Sequence, residues 1–174
     1  GNLTVDGTTT LTGAVTLPDG TTPDTLSFRN LIVNGAMQVA QRGTSSTSTG
    51  YATVDRINLN NQNTSVTATQ SQVDVTSGGA YDAGFRKAFQ VTKPAGSVAV
   101  NGQLTCNYFI EGQDIFNSGW KMTDPNSKLT FSFWVKSSVA DHNPTFFIQA
   151  YNTPASATFF NGQVSALTAD TWTK

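Results

Sequence analysis

The stretch Leu129-Thr130-Phe131-Ser132-Phe133-Trp134-Val135-Lys136 decides the fold class. Successive side chains of an extended strand point to opposite faces. Leu129, Phe131, Phe133 and Val135 therefore share one face, and Thr130, Ser132, Trp134 and Lys136 the other. The first set reads as the core side of a strand, where each buried Phe stabilises the fold by roughly 1.5–3 kcal/mol. The second set holds one large aromatic among small polar groups. Two readings of Trp134 stand side by side. Either it stacks on the apolar face of a sugar with its indole N–H free to hydrogen-bond, or it packs beneath a loop or against a neighbouring chain.

Phe146-Phe147-Ile148-Gln149-Ala150-Tyr151 reads as the next antiparallel strand. Phe147, Gln149 and Tyr151 fall on one face, and Phe146, Ile148 and Ala150 on the other. In the matching register Gln149 and Tyr151 lie beside Trp134, whereas a slip of one residue reverses the arrangement. Trp134, Gln149 and Tyr151 are thus the candidate ligand-binding residues.

Composition agrees with an all-β chain. The sequence holds 27 Thr, 15 Ser and 14 Asn among 174 residues. Thr favours strands, and Ser and Asn favour turns and caps. Further strands are expected at 31–33, 36–41, 52–58, 64–69, 72–76, 85–92, 103–110, 157–160 and 171–174. Leu31 to Gln41 has a helical alternative, which the early Asn34-Gly35 disfavours. Turn signals stand between, among them Ser77-Gly78-Gly79, Asn101-Gly102 and Asn161-Gly162. Many short strands separated by such signals predict a β-sandwich or barrel.

Residues 1–17 differ in texture. Leu3, Val5, Leu11, Val15 and Leu17 occupy odd positions, and the even ones are mainly Thr. This period of two gives one apolar face, which a single ribbon cannot bury alone. Two prolines, a glycine and two aspartates punctuate residues 18–27. The expected organisation is a β-stem and linker over 1–27, followed by a sandwich domain over 28–174.

The chemistry of most enzyme classes lacks its residues. Cys106 is the one cysteine and His142 the one histidine. Cys106 reads as a buried structural thiol, and His142 as a loop residue. Glu111 and Asp114 are the only carboxylates worth weighing as a glycosidase pair, and Glu111-Gly112-Gln113-Asp114 reads better as a turn. No catalytic residue, metal site or cofactor is expected. Net charge is −1, with no basic stripe for nucleic acid, and no apolar run reaches the roughly 20 residues that span a bilayer.

Two ordered sets of motifs carry a resemblance. Asn30-Leu-Ile-Val-Asn-Gly-Ala-Met-Gln-Val-Ala-Gln-Arg-Gly43 with Tyr51-Ala-Thr-Val-Asp-Arg56 resembles the opening of a jelly-roll module of phage tail-fibre proteins. Phe109-Ile-Glu-Gly-Gln-Asp114 and Leu129 to Ser138 are similar to its middle motifs. The leading Gly1-Asn-Leu-Thr-Val-Asp-Gly-Thr-Thr-Thr-Leu-Thr-Gly13 looks like the β-repeat stem of a trimeric fibre. Ile57 stands where the family often has Trp after the Asp-Arg pair. The family usually continues beyond Lys174 into a closing strand, so a truncated C-terminal end is expected. The resemblance implies a virion tail-fibre or spike component at the particle surface. Its partners would be sister chains in a homotrimer, other virion proteins and a host surface glycan. A capsid decoration or cement protein, and the non-catalytic carbohydrate-binding module of a larger enzyme, are the rival expectations.

Overall fold

The computed structural model describes residues 30–62, 66–94, 102–121, 126–151 and 156–174. The expected stem and linker over 1–27 lie outside the described residues. The regular elements of the described chain are mostly strands. Seven strands run as β1 (Ser45–Ser46), β2 (Ile57–Gln62), β3 (Thr69–Asp74), β4 (Lys87–Thr92), β5 (Gln103–Tyr108), β6 (Thr145–Tyr151) and β7 (Ser156–Gln163). Two short helices interrupt them, α1 (Gly79–Asp82) and α2 (Gly112–Asn117). The strands form three small unclosed antiparallel sheets in the orders β1-β3-β4, β2-β5 and β6-β7.

The core lies in the first half of the chain. Leu31, Val54, Ile57, Leu59, Ala68, Val75 and Ala80 are buried there, and Leu167 joins them from the C-terminal part. Alternation on β2 turns Ile57 and Leu59 inward, opposite Tyr108 and Cys106 of β5. Two polar side chains are buried with them. Thr53 donates its hydroxyl to Gln70 Oε1 at 2.9 Å. Gln70 Nε2 donates to the carbonyls of Ser48 and Gly50 at 2.6 and 3.2 Å. Each group has its partner, as burial in a low-dielectric core requires.

Residues 31–44 contain neither of the expected strands, nor the helix. Their backbone is claimed by side chains instead. Asn34 adopts φ 59° and turns the chain, with Met37 N–H donating to its carbonyl at 2.9 Å. The Asn34 side chain accepts from Val39 N–H at 3.0 Å and donates to the carbonyls of Val39 and Asp55. From β3, Gln72 Nε2 donates to the carbonyls of Met37 and Gln38. Propensity predicted extension, and these side-chain clamps override it.

Three further expectations need correction. The segment 129–137 is not a regular strand: among the described residues its ladder contact is one bridge, Val135 to Thr173, closed by two bonds of 2.9 Å. Asn161-Gly162 is not a turn but lies within β7, where Gly162 pairs with Phe146. A Cβ on Gly162 would stand 2.8 Å from Phe146 Cζ, so the glycine makes room for a ring. Glu111 to Asp114 is not a simple turn either. It opens α2, with Ile115 N–H donating to the Glu111 carbonyl at 3.2 Å.

Candidate functional site

The period-two reading of residues 129–136 holds for Phe131 and Phe133, whereas Thr130 and Ser132, expected on the other face, line the same grooves as these rings. Phe131 and Phe133 lie 5.3 Å apart, centroid to centroid, and both meet Phe146. Phe160 of β7 completes this cluster at 5.7 Å from Phe146. The cluster is not the sealed core expected of it. Leu129, Phe131 and Phe160 are 41%, 47% and 52% exposed. With Trp120, Phe146 and Ile148 they line an open groove of about 520 Å³. Trp120 Nε1 is buried there without a hydrogen-bond partner. The sheet β6-β7 has no second full sheet packed over this face among the described residues, so the rings close on one another only in part.

Trp134 points elsewhere. Its six-membered ring lies against Gly79, at the start of α1. Trp172 lies against the preceding Gly78, whose Cβ would meet Cδ1 at 3.1 Å. The Val135–Thr173 bridge explains the pairing, because it sets Lys136 across from Trp172 on the neighbouring segment. Lys136 Nζ sits 5.3 Å from the centre of the Trp172 ring. Further along α1, the Arg86 guanidinium sits 3.9 Å above the Tyr81 ring. Its Nη1 donates to the carbonyls of Tyr81 and Phe85. Trp134 and Trp172 are partly buried, and Tyr81 is more open.

Gln149 is exposed on β6, immediately after a register shift between Ile148 and Gln149. The side chain of Tyr151 lies outside the described residues. The described contacts of Trp134 are with the glycine turn. Trp172 with Lys136 over its ring was not expected at the same turn, nor was the Tyr81–Arg86 pair on the helix that begins there. The sequence signal for Trp172 was its place in a short terminal strand, but its partner strand was not legible.

The motifs of the resemblance meet in space. Asp55 carries the first: its Oδ1 accepts from Gln41 N–H at 3.1 Å and lies 3.7 Å from Arg42. Next in sequence, Arg56 adopts φ 74° and reaches the second motif. Its Nη1 donates to Glu111 at 2.5 Å, and its Nη2 lies 3.9 Å from Asp114. Arg56 also lies over the Tyr108 ring at 5.6 Å. The hydrogen bond to Arg56 is the main cause that lowers the Glu111 carboxyl below its ordinary range. The Arg56 guanidinium is raised in turn, first by Glu111.

Cys106 is exposed rather than buried. Surrounding protein still desolvates its thiol and pushes it up to about 11. His142 is exposed, with Nδ1 3.3 Å from Ser137 Oγ. Among the described residues no three of His, Cys, Asp and Glu gather as a metal site. No helix of the described residues is long and apolar enough to cross a membrane. No family model matches the chain, and neither a curated protein nor a solved structure matches it.

Proposed function

We propose that the chain is a structural component of a phage virion, a tail-fibre or spike segment that presents a host-receptor module. In this reading residues 1–27 form a β-stem, and residues 28–174 a jelly-roll sandwich that binds surface glycan. Three copies assemble along the stem, alongside other virion proteins, at the particle surface. The chain does no catalysis.

One observation carries the reading. The motifs Asn30–Gly43, Tyr51–Arg56 and Phe109–Asp114, which carry the resemblance to fibre modules, are tied together by Asn34, Asp55 and Arg56. Motifs that lock a scaffold together suit a presenting module. Glu111 and Asp114 both face Arg56, and the Glu111 carboxyl is held ionised. A glycosidase acid needs the opposite shift, toward retention of its proton.

The test is immunogold labelling of the particles that carry this chain. Gold on a fibre or spike supports the reading. Gold over the head favours a decoration protein, and particles without the chain overturn the reading.

A further inference from the structure

Three features of the described surface call for an explanation beyond folding. The first is the Phe groove, whose cover nothing in the structure identifies. The second is Cys106, a lone thiol with no neighbouring reactive group. The third is the shelf at Gly78–Gly79, where aromatic rings and cations collect.

The shelf begins with the glycines. Trp172 rests on Gly78 and Trp134 on Gly79. Asp82 N–H donates to the Gly78 carbonyl at 3.0 Å, so Tyr81 lies within one helical turn of both glycines. Each side of the shelf carries a cation held on an aromatic ring, Lys136 on Trp172 and Arg86 on Tyr81. Arg42, Arg56 and Lys87 each face a carboxylate. Neither Arg86 nor Lys136 forms an ion pair with Asp82 or any other carboxylate among the described residues. A cation over a ring face is attracted by about 0.5–1 kcal/mol at an exposed site. That attraction fixes its position and leaves its charge uncompensated.

We propose that the Gly78–Gly79 shelf, with Trp134, Trp172, Tyr81, Lys136 and Arg86, is a binding site for a carboxylate-bearing glycan. The proposal rests on the glycan-presenting reading above and names the class of sugar. Indole and phenol rings offer stacking surface to the C–H face of a pyranose. The unpaired ammonium and guanidinium supply charge-assisted hydrogen bonds to the carboxylate of a uronic or sialic acid. A neutral sugar uses the rings alone. The site is shallow, so single-site affinity is weak and several copies on one particle supply avidity.

The experiment is calorimetric titration of the full chain with two matched pairs: sialyllactose against lactose, and oligogalacturonate against a neutral galactose oligomer. A preference of about fivefold for the acidic member is expected at low salt, the equivalent of one exposed charge contact. High salt should erase the preference by screening. Lys136→Gln and Arg86→Gln should each lower affinity for the acidic sugars and leave the neutral ones unchanged. Both are surface substitutions, and a thermal melt of each variant checks that it folds. Equal binding of acidic and neutral sugars, unmoved by either variant, overturns the acidic site while the glycan-presenting reading stands. Acid-selective binding indifferent to both variants puts the site elsewhere and also overturns the proposal. Failure of both acidic probes overturns it as well, whereas the virion assignment falls only by the labelling of particles.

Discussion

The six-membered ring of Trp134 lies so close to Gly79 that a Cβ there would stand 2.8 Å from Cζ3 and 2.9 Å from Cη2. This contact ties the C-terminal aromatic segment to the turn that follows β3. It also explains why residue 79 is glycine although its backbone conformation does not demand one. A methyl group would have to displace an indole already wedged against the turn.

Gly79→Ala should therefore destabilise the chain by about 1–3 kcal/mol, the usual cost of overpacking. Gly112→Ala is the control, because a Cβ there meets nothing within 4 Å. A change within about 0.5 kcal/mol is expected at that position. Thermal melts of the two variants check the difference, and equal melts would remove the Trp134 contact as a stabilising one.

Gln70→Leu keeps much of the side-chain volume and removes every polar atom from the buried end. Thr53 loses its acceptor, and the Ser48 carbonyl loses its donor. Leaving such groups unsatisfied costs about 1–3 kcal/mol each. Urea unfolding should show a lower midpoint with an unchanged slope.

The acid limb of the stability curve should depend on Glu111. Arg56 lowers the folded-state carboxyl below the ordinary value of 4.5, so folding favours the ionised form. That contribution is complete above the ordinary value and is lost as pH falls through the lowered one. Glu111→Gln should lower the melting temperature modestly near pH 7, where the contribution is complete, and flatten its decline below about pH 4.5, so that the two proteins converge in acid. An acid limb identical in both proteins would show that Arg56 holds the carboxylate too loosely to matter.

Cys106 should be reachable but slow. Its thiol is pushed up to about 11 from 9.0, so little thiolate exists near neutrality. Alkylation by iodoacetamide at pH 8 should run at least about tenfold slower in the folded chain than in urea, because the thiolate is the nucleophile. Equal rates would mean that β5 leaves the sulfur fully hydrated.

Much of the strand content was legible from residue type and alternation. β4, β5, β6 and β7 lie where Lys87–Thr92, Gln103–Tyr108, Thr145–Tyr151 and Ser156–Gln163 predict them, give or take a few residues. What was not legible depends on long-range hydrogen bonds. Asn34-Gly35 was a turn signal and Asn34 does take a left-handed turn, but no local pattern says that its side chain will hold Asp55, 21 residues away. Nor does alternation reveal which strand a segment joins. Phe131 and Phe133 do gather apart from Trp134, yet among the described residues the backbone of that segment bridges only Thr173. The same blindness hid Trp172, which reaches the Trp134 site only through that bridge. Gly162 misled for a simpler reason: Asn-Gly is a strong turn signal, but here the glycine admits the Phe146 ring.

The central claim is that the chain is a self-assembling fibre segment. Sedimentation velocity of residues 1–174, beside a variant lacking 1–27, tests it most directly. The account predicts a trimer of the 18.5 kDa chain at micromolar concentration, weakened when the alternating Leu3–Leu17 face is removed. A clean monomer for the full chain, indistinguishable in behaviour from the shortened one, would contradict it.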